Sequence, residues 1–300
     1  MPPSRLIPQI DVFAGPGGLC EGFAAYRDHG RRVMSPALSI EMDPAAHRTL
    51  KLRAFFRAFP DGKAPQDYYD YLAGRLTLDE LYDRHSWQAE QAAQEAWCAE
   101  LGKNNIKEVR QRIGDALGDA DPWVLLGGPP CQPFSLAGRS RNRPGTNTLY
   151  SDGKDTRHQL YNEYLQIIAD FWPAVFVMEN VRGMLSAKYN GEPMFERICD
   201  DLRDPAAVVG RNRRKTGRRH TYTLHAIGPS DSLFDDAPRP NDFIIQCERH
   251  GIPQARHRLI LIGVRPPEVA VRVQSFPGSD RFDSGNGRLN RITYTHRLAA

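Results

Sequence analysis

The sequence predicts an α/β protein with a mostly parallel sheet and helices on both faces. Three observations carry that expectation. Short apolar runs alternate with helical stretches along most of the 300 residues. The apolar runs lack a clean in/out alternation, as strands covered on both faces do. Two of them stop at glycine-rich turns, AGPGG and GGPP, of the kind found at the carboxyl ends of parallel strands.

The elements follow in order. Residues 9–13 read as the first strand, followed by AGPGG and a helix from 19 to about 26. Residues 37–40 are the second strand, ending at Glu41, and 44–59 are helical. A short third strand is expected near 112–115 and a fourth at 123–126, stopped by GGPP. Residues 160–171 read as a helix and 175–178 as the fifth strand, and 243–247 and 259–264 close the series. Three regions break the rhythm. Residues 60–111 are polar and mixed and read as a helical insertion. Residues 203–241 read as an exposed loop, in which RNRRKTGRRH either meets phosphates or only solvates the loop. Residues 266–300 are too short and polar for a second domain.

Composition narrows the class. Apolar residues are 40% and charged residues 25%, which excludes whole-chain disorder, collagen and coiled coil. No apolar stretch approaches the roughly 20 residues that cross a bilayer, so no membrane is expected. MPPSRLIPQIDVFAG lacks the apolar core of a secretory signal. The net charge of +4 permits a polyanionic partner without demanding one. Arginine far outnumbers lysine, which suits bidentate contacts to phosphates and base edges, and codon bias would give the same excess. The five cysteines are scattered, with no C-x-x-C pair. That argues against a disulfide frame and against zinc, and fits a reducing, cytoplasmic setting.

Four segments carry chemistry. DVFAGPGG follows the first strand and opens a helix, so its backbone N–H groups can approach a ligand and the helix end favours negative charge. A plain tight turn is the other reading of such a loop. Glu41, at the end of the second strand, decides for a nucleotide-like ligand, because a carboxylate there accepts hydrogen bonds from ribose hydroxyls. Asp115, read as ending the third strand, is placed to take an adenine amino proton. The second segment is GGPPCQPFS, in which prolines on both sides hold Cys131 in a fixed loop. A thiolate there is a candidate nucleophile. Cys20, inside a helix pattern, is better explained by packing. Arg139, Arg141 and Arg143 follow in SLAGRSRNRPG, where phosphate contact and a solvated loop remain open. The third segment is MENVRG, with Glu179 and Asn180 directly after the fifth strand. A carboxyl there is either a proton donor or a strand-end cap. The fourth is QARHR, whose Arg256 and Arg258 point to one side if the segment is extended.

In this order the four segments resemble the cytosine-5 DNA methyltransferase family. The likeness covers roughly residues 8–265, with 60–111 outside it. The resemblance implies a Rossmann-like methyltransferase fold that uses S-adenosylmethionine as methyl donor and cytosine in double-stranded DNA as acceptor. It makes residues 1–265 the catalytic domain. Phe13 would lie against the adenine, and Gly15, Gly17 and Gly18 would hold the methionine end. Glu41 would take the ribose, Met42 would pack on the adenine, Asp115 would bind its amine and Pro129 would line the pocket. Cys131 would be the nucleophile, Glu179 would act at N3, and Arg256 and Arg258 would act around the cytosine O2 and the catalytic loop. Gln132, Ser135, Asn180, Arg139 and Arg141 would meet the substrate.

The family continues past QxRxR with a recognition region and a Q-x-G-N motif, and neither is found here; SGNG at 284–287 is a weak echo. The sequence therefore leaves room for a partner-dependent subunit of a split enzyme, or an inactive binding module. An RNA cytosine-5 methyltransferase is a further alternative. Restriction–modification, orphan and phage roles look alike at this level.

Overall fold

The computed structural model describes residues 6–60, 63–102, 105–129, 156–189, 192–209, 221–227 and 238–266. It divides into two compact units, Met1–Gly127 and Gly128–Ala300. Both combine helices and strands, so the chain is an α/β protein. Among the described residues no helix is long and apolar enough to cross a membrane.

The first unit is built on a parallel sheet. Its elements are β1 (Ile7–Val12), α1 (Gly18–Ala25), β2 (Met34–Glu41), α2 (Pro44–Arg57), α3 (Gln66–Leu72), α4 (Leu78–Arg84), α5 (Ser86–Glu95), β3 (Ala96–Cys98), α6 (Ile106–Leu117) and β4 (Val124–Gly127). The strands lie in the order β4-β1-β2-β3, and every pairing is parallel. Val12 stands beside Ile40 and Gly127, and Glu41 beside Cys98, so all four carboxyl ends share one edge. In β1, Ile10 and Val12 are fully buried on one face and Gln9 and Asp11 on the other. Burial on both faces is the physical reason that apolar alternation is missing.

β4 ends at a glycine because β1 passes too close for a side chain. A Cβ on Gly127 would fall 2.0 Å from the Val12 carbonyl oxygen, and its φ of +136° disfavours an L side chain in any case. At the start of α2, Asp43 accepts from the N–H groups of Ala45 (2.9 Å) and Ala46 (2.7 Å), and Pro44 occupies the first turn.

The stretch read as a helical insertion does hold α3, α4 and α5. Leu81 and Ala92 pack with Ala54 and Phe55 of α2, and the Phe55 ring stands 5.1 Å from Tyr82 and 5.2 Å from Phe59. Its last residues depart from the expectation. Ala96–Cys98 follow α5 directly and form β3, a strand of the sheet. No strand exists at 112–115. Residues Ile106–Leu117 form α6, which buries Val109, Ile113 and Leu117 at intervals of four. That i, i+4, i+8 stripe is a helical period, and it outweighs the short apolar run around Ile113.

The second unit contains α7 (Thr156–Phe171), β5 (Val175–Val181), α8 (Met194–Arg203), α9 (Pro205–Val208), β6 (Thr223–His225), β7 (Ile244–Gln246) and β8 (His257–Val264). β8 is antiparallel to β5 along its whole length, and to β6 and β7 at its two ends. The core stacks Phe176 against Tyr222 and Tyr164. Gly263 makes room for that ring, since a Cβ there would lie 2.1 Å from it. In α8 the buried side chains Phe195, Ile198, Cys199 and Leu202 form one stripe.

Phe55 carries the packing of the inserted helices on α2. Phe55→Ala is expected to lower stability by about 3–5 kcal/mol, read from urea unfolding. A loss below about 1 kcal/mol, the range of surface substitutions, would contradict that packing.

Candidate functional site

At the carboxyl edge of the first unit the chain leaves β1 through a strained turn. Phe13 has φ of +58°, an uncommon conformation for a bulky side chain, and Gly15 (+56°) and Gly17 (+85°) follow. Gly17 caps α1 and Gly18 opens it. A Cβ on Gly17 would lie 2.7 Å from Leu50 of α2, so this glycine is needed for close approach as well as for its backbone angle.

Glu41 holds that turn in place. Its Oε2 accepts from the Gly15 N–H at 2.7 Å, and its Oε1 accepts from the Asp43 N–H at 2.7 Å. One carboxylate thus ties the glycine loop to the start of α2. Glu41 is 9% exposed, whereas its neighbour Met42 is 55% exposed. The structure therefore gathers Phe13, Gly15, Gly17, Gly18, Glu41 and Met42 at one edge, as expected from the sequence. Asp115 is not among them. It lies exposed near the end of α6, not at a strand end, because that segment is helical.

Sequence reasoning missed Asp11. It is 1% exposed, and no side chain among the described residues hydrogen-bonds either carboxylate oxygen; the Cys20 backbone N–H lies close enough to favour the charged form. Burial, and then the nearby charge of Glu41, push its pKa up to about 7, with Arg57 pulling the other way. Beside it Gln9 accepts from the Cys20 thiol at 3.2 Å. Burial and Asp11 push that thiol well above its ordinary range, so Cys20 is a packed hydrogen-bond donor and no nucleophile. The available signal was the pair of polar residues, Gln9 and Asp11, at alternate positions of a buried strand.

The donor set fits an adenosine-bearing cofactor. A cradle of glycine backbone and a helix N-terminus stands beside a strand-end carboxylate.

In the second unit β5 and β8 bring the other predicted groups together. Arg258 Nε donates to Glu179 Oε1 at 2.8 Å, and Arg258 Nη1 donates to the His257 carbonyl at 2.8 Å. Both side chains are half-buried, with Glu179 35% and Arg258 23% exposed. Asn180 is 2% exposed. Its Nδ2 donates to the Pro129 carbonyl at 3.3 Å and its Oδ1 accepts from the Val181 N–H at 2.8 Å. Asn180 therefore fixes the chain just before Cys131. A Cβ on Gly128 would fall 1.9 Å from the Glu179 carbonyl oxygen, which explains the second glycine of GGPP. Arg256 is exposed and precedes β8, so it does not share the strand geometry of Arg258. Cys131, Gln132, Ser135, Arg139 and Arg141 lie outside the described residues, as do RNRRKTGRRH and 267–300.

Residues 77–205 match the model of the C-5 cytosine-specific DNA methylase family. The match begins inside the stretch read as an insertion, so it includes residues 77–111, which the sequence motifs left outside the likeness. Among curated proteins, a type II methyltransferase, M.Bpa9945I of Bacillus paralicheniformis, is 27% identical over 271 residues, covering 85% of this chain and 53% of that protein. M.AquIA of Picosynechococcus is 25% identical over 85% of this chain and 71% of its own length. M.AgeI of Thalassovita gelatinovora is 28% identical over 81% of this chain and 44% of its own. Over residues 77–205 the chain is similar to the C-5 cytosine-specific DNA methylase family, and it spans about half the length of the first and third of these relatives.

Asp11 gives this edge a pH signature. Folded, it keeps a proton up to about pH 7, whereas an unfolded aspartate loses it near pH 4. Its contribution is therefore intact below about pH 4 and is lost as pH rises through about 7. Asp11→Asn should gain on the native chain by about 3 kcal/mol between pH 5 and pH 8, measured from urea midpoints. Identical pH dependence in the two chains would contradict the assignment.

Proposed function

We propose that the chain transfers a methyl group from S-adenosylmethionine to C5 of a cytosine in double-stranded DNA. The observation that carries this reading is the Glu179–Arg258 pair, joined at 2.8 Å between two motifs distant in sequence. The guanidinium holds the carboxyl group through Oε1, and the other oxygen would serve the base.

The chemistry explains why these groups are needed together. C5 of cytosine is a poor nucleophile. Addition of the Cys131 thiolate to C6 breaks the aromatic ring and pushes electron density to C5, while N3 gains a proton or a strong hydrogen bond from Glu179. Arg258 would offset the charge that grows on O2. S-adenosylmethionine, held by the glycine loop and Glu41, would supply the methyl group as a sulfonium substituent, the C5–CH3 bond forming as the S–CH3 bond breaks and the neutral thioether S-adenosylhomocysteine leaves. Loss of the C5 proton and elimination of the thiol restore the ring. A base inside a duplex is out of reach of such a site, so the cytosine is flipped out. Arg139 and Arg141 are placed in the sequence to meet phosphates, and Gln132 and Ser135 flank the thiol; these roles rest on the family resemblance.

On the cofactor side, Glu41 and the glycine loop would hold the ribose and the methionine end. Phe13 and Met42 would enclose the adenine, and Pro129 would line the pocket. Arg256 is assigned to the catalytic loop. A cytoplasmic location fits a DNA substrate, and the type II names of the relatives support a modification role.

A second reading follows from the share of the relatives' length that the chain covers. In it, a further polypeptide supplies the recognition region and the Q-x-G-N motif, and activity needs both. Methyl transfer that appears only after such a polypeptide is added would establish it.

A duplex containing 5-fluorocytosine tests the covalent step, because fluorine blocks the final proton loss. The native chain should form a denaturant-stable adduct that requires S-adenosylmethionine, and Cys131→Ala should form none. Glu179→Gln should slow trapping by a factor on the order of 10². Undiminished trapping by the Cys131→Ala chain would sink the mechanism.

A further inference from the structure

Arg57 lies at the end of α2 and pairs with carboxylates from two other helices. One is Glu21, in the first turn of α1, and the other is Glu95, the last residue of α5. The guanidinium is 12% exposed, Glu95 16% and Glu21 31%. Burial raises the Glu95 pKa, and Arg57 opposes that rise.

The placement of this triad relates it to the glycine loop. Leu50, Arg53 and Arg57 repeat along one face of α2. At Leu50 and Arg53 that face meets Gly17, where a Cβ would touch both side chains. At Arg57 it meets Glu21, whose N–H makes the first helical bond of α1 to the Gly17 carbonyl at 3.0 Å. On the far side Glu95 runs directly into β3, and the Ala99 N–H donates to the Glu41 carbonyl at 3.1 Å. Asp11 also feels the charges of Arg57 and Glu95. A single guanidinium therefore links the start of α1, the inserted helices and the strand beside Glu41.

We propose that Arg57 is a positioning residue for the glycine loop, fixing the first turn of α1 through Glu21 and so setting the affinity for the cofactor. The inserted helices then serve the site, since α5 brings the second carboxylate that holds Arg57 in place. Arg57 and Glu95 border a cavity of about 260 Å³, so shortening the arginine leaves room that water can enter. This inference rests on the cofactor reading above.

The test uses the full chain and two readouts, the dissociation constant for S-adenosylmethionine and hydrogen exchange of the Glu21 amide without cofactor. Arg57→Met and Glu21→Gln should each weaken binding about tenfold, within the usual range of coupling between sites. Arg57→Lys should keep most of the affinity. Exchange at Glu21 should speed up in the Met variant and stay native in Arg75→Met, which removes an exposed pair with Asp70. Native affinity and native exchange in folded Arg57→Met would overturn the proposal, as would a Lys variant as weak as the Met one. If Arg57→Met does not fold, Glu21→Gln decides alone, because that side chain is partly exposed. If the native chain takes up no S-adenosylmethionine, the cofactor reading fails, and the exchange comparison still decides the role of Arg57.

Discussion

The carboxylate of Glu41 is the constraint on which the glycine-loop edge of the first unit depends. Two N–H groups from separate segments, Gly15 and Asp43, converge on its two oxygens at 2.7 Å each. Hydrogen bonds to a charged acceptor contribute about 1.5–3 kcal/mol each, enough to hold a loop that carries Phe13 at positive φ. The parallel register brings Glu41 there, because it aligns the ends of β1, β2 and β3 along one edge. Gly127 lets β4 approach close enough to join that edge. A loop held in place before its ligand arrives loses less entropy on binding, which is the general advantage of preorganisation.

The second unit uses a different device to the same end. Asn180 is buried and spends its amide on the Pro129 carbonyl and the Val181 N–H, so it fixes backbone on both sides. Gly128 allows β5 to lie against the start of the Cys131 segment. One residue earlier than Asn180, Glu179 is half exposed and oriented by Arg258. Neighbouring residues on one strand thus divide the work, one anchoring backbone and the other presenting a carboxyl group.

Much of this was legible in the sequence. Glycines and acids at strand ends advertise themselves, so the loop, Glu41, Glu179 and Arg258 could be placed by position alone. β3 could not, because a three-residue strand that continues directly from a helix has no period to detect. The error moved the third strand onto α6 and gave Asp115 a place it does not have. Asp11 was passed over because an acid in an apolar strand looks like an ordinary polar position until its burial is known. Arg57 was invisible for another reason. Its partners Glu21 and Glu95 are far away in the chain, and an ion pair between distant residues leaves no local pattern.

The most direct test of the account is the transfer of a tritiated methyl group from S-adenosylmethionine to mixed-sequence duplex DNA, with the label then located on the base. The account predicts label at C5 of cytosine, from this chain alone or together with a polypeptide carrying a Q-x-G-N segment. A folded chain that places no label on cytosine under either condition, or that labels another atom, would contradict it.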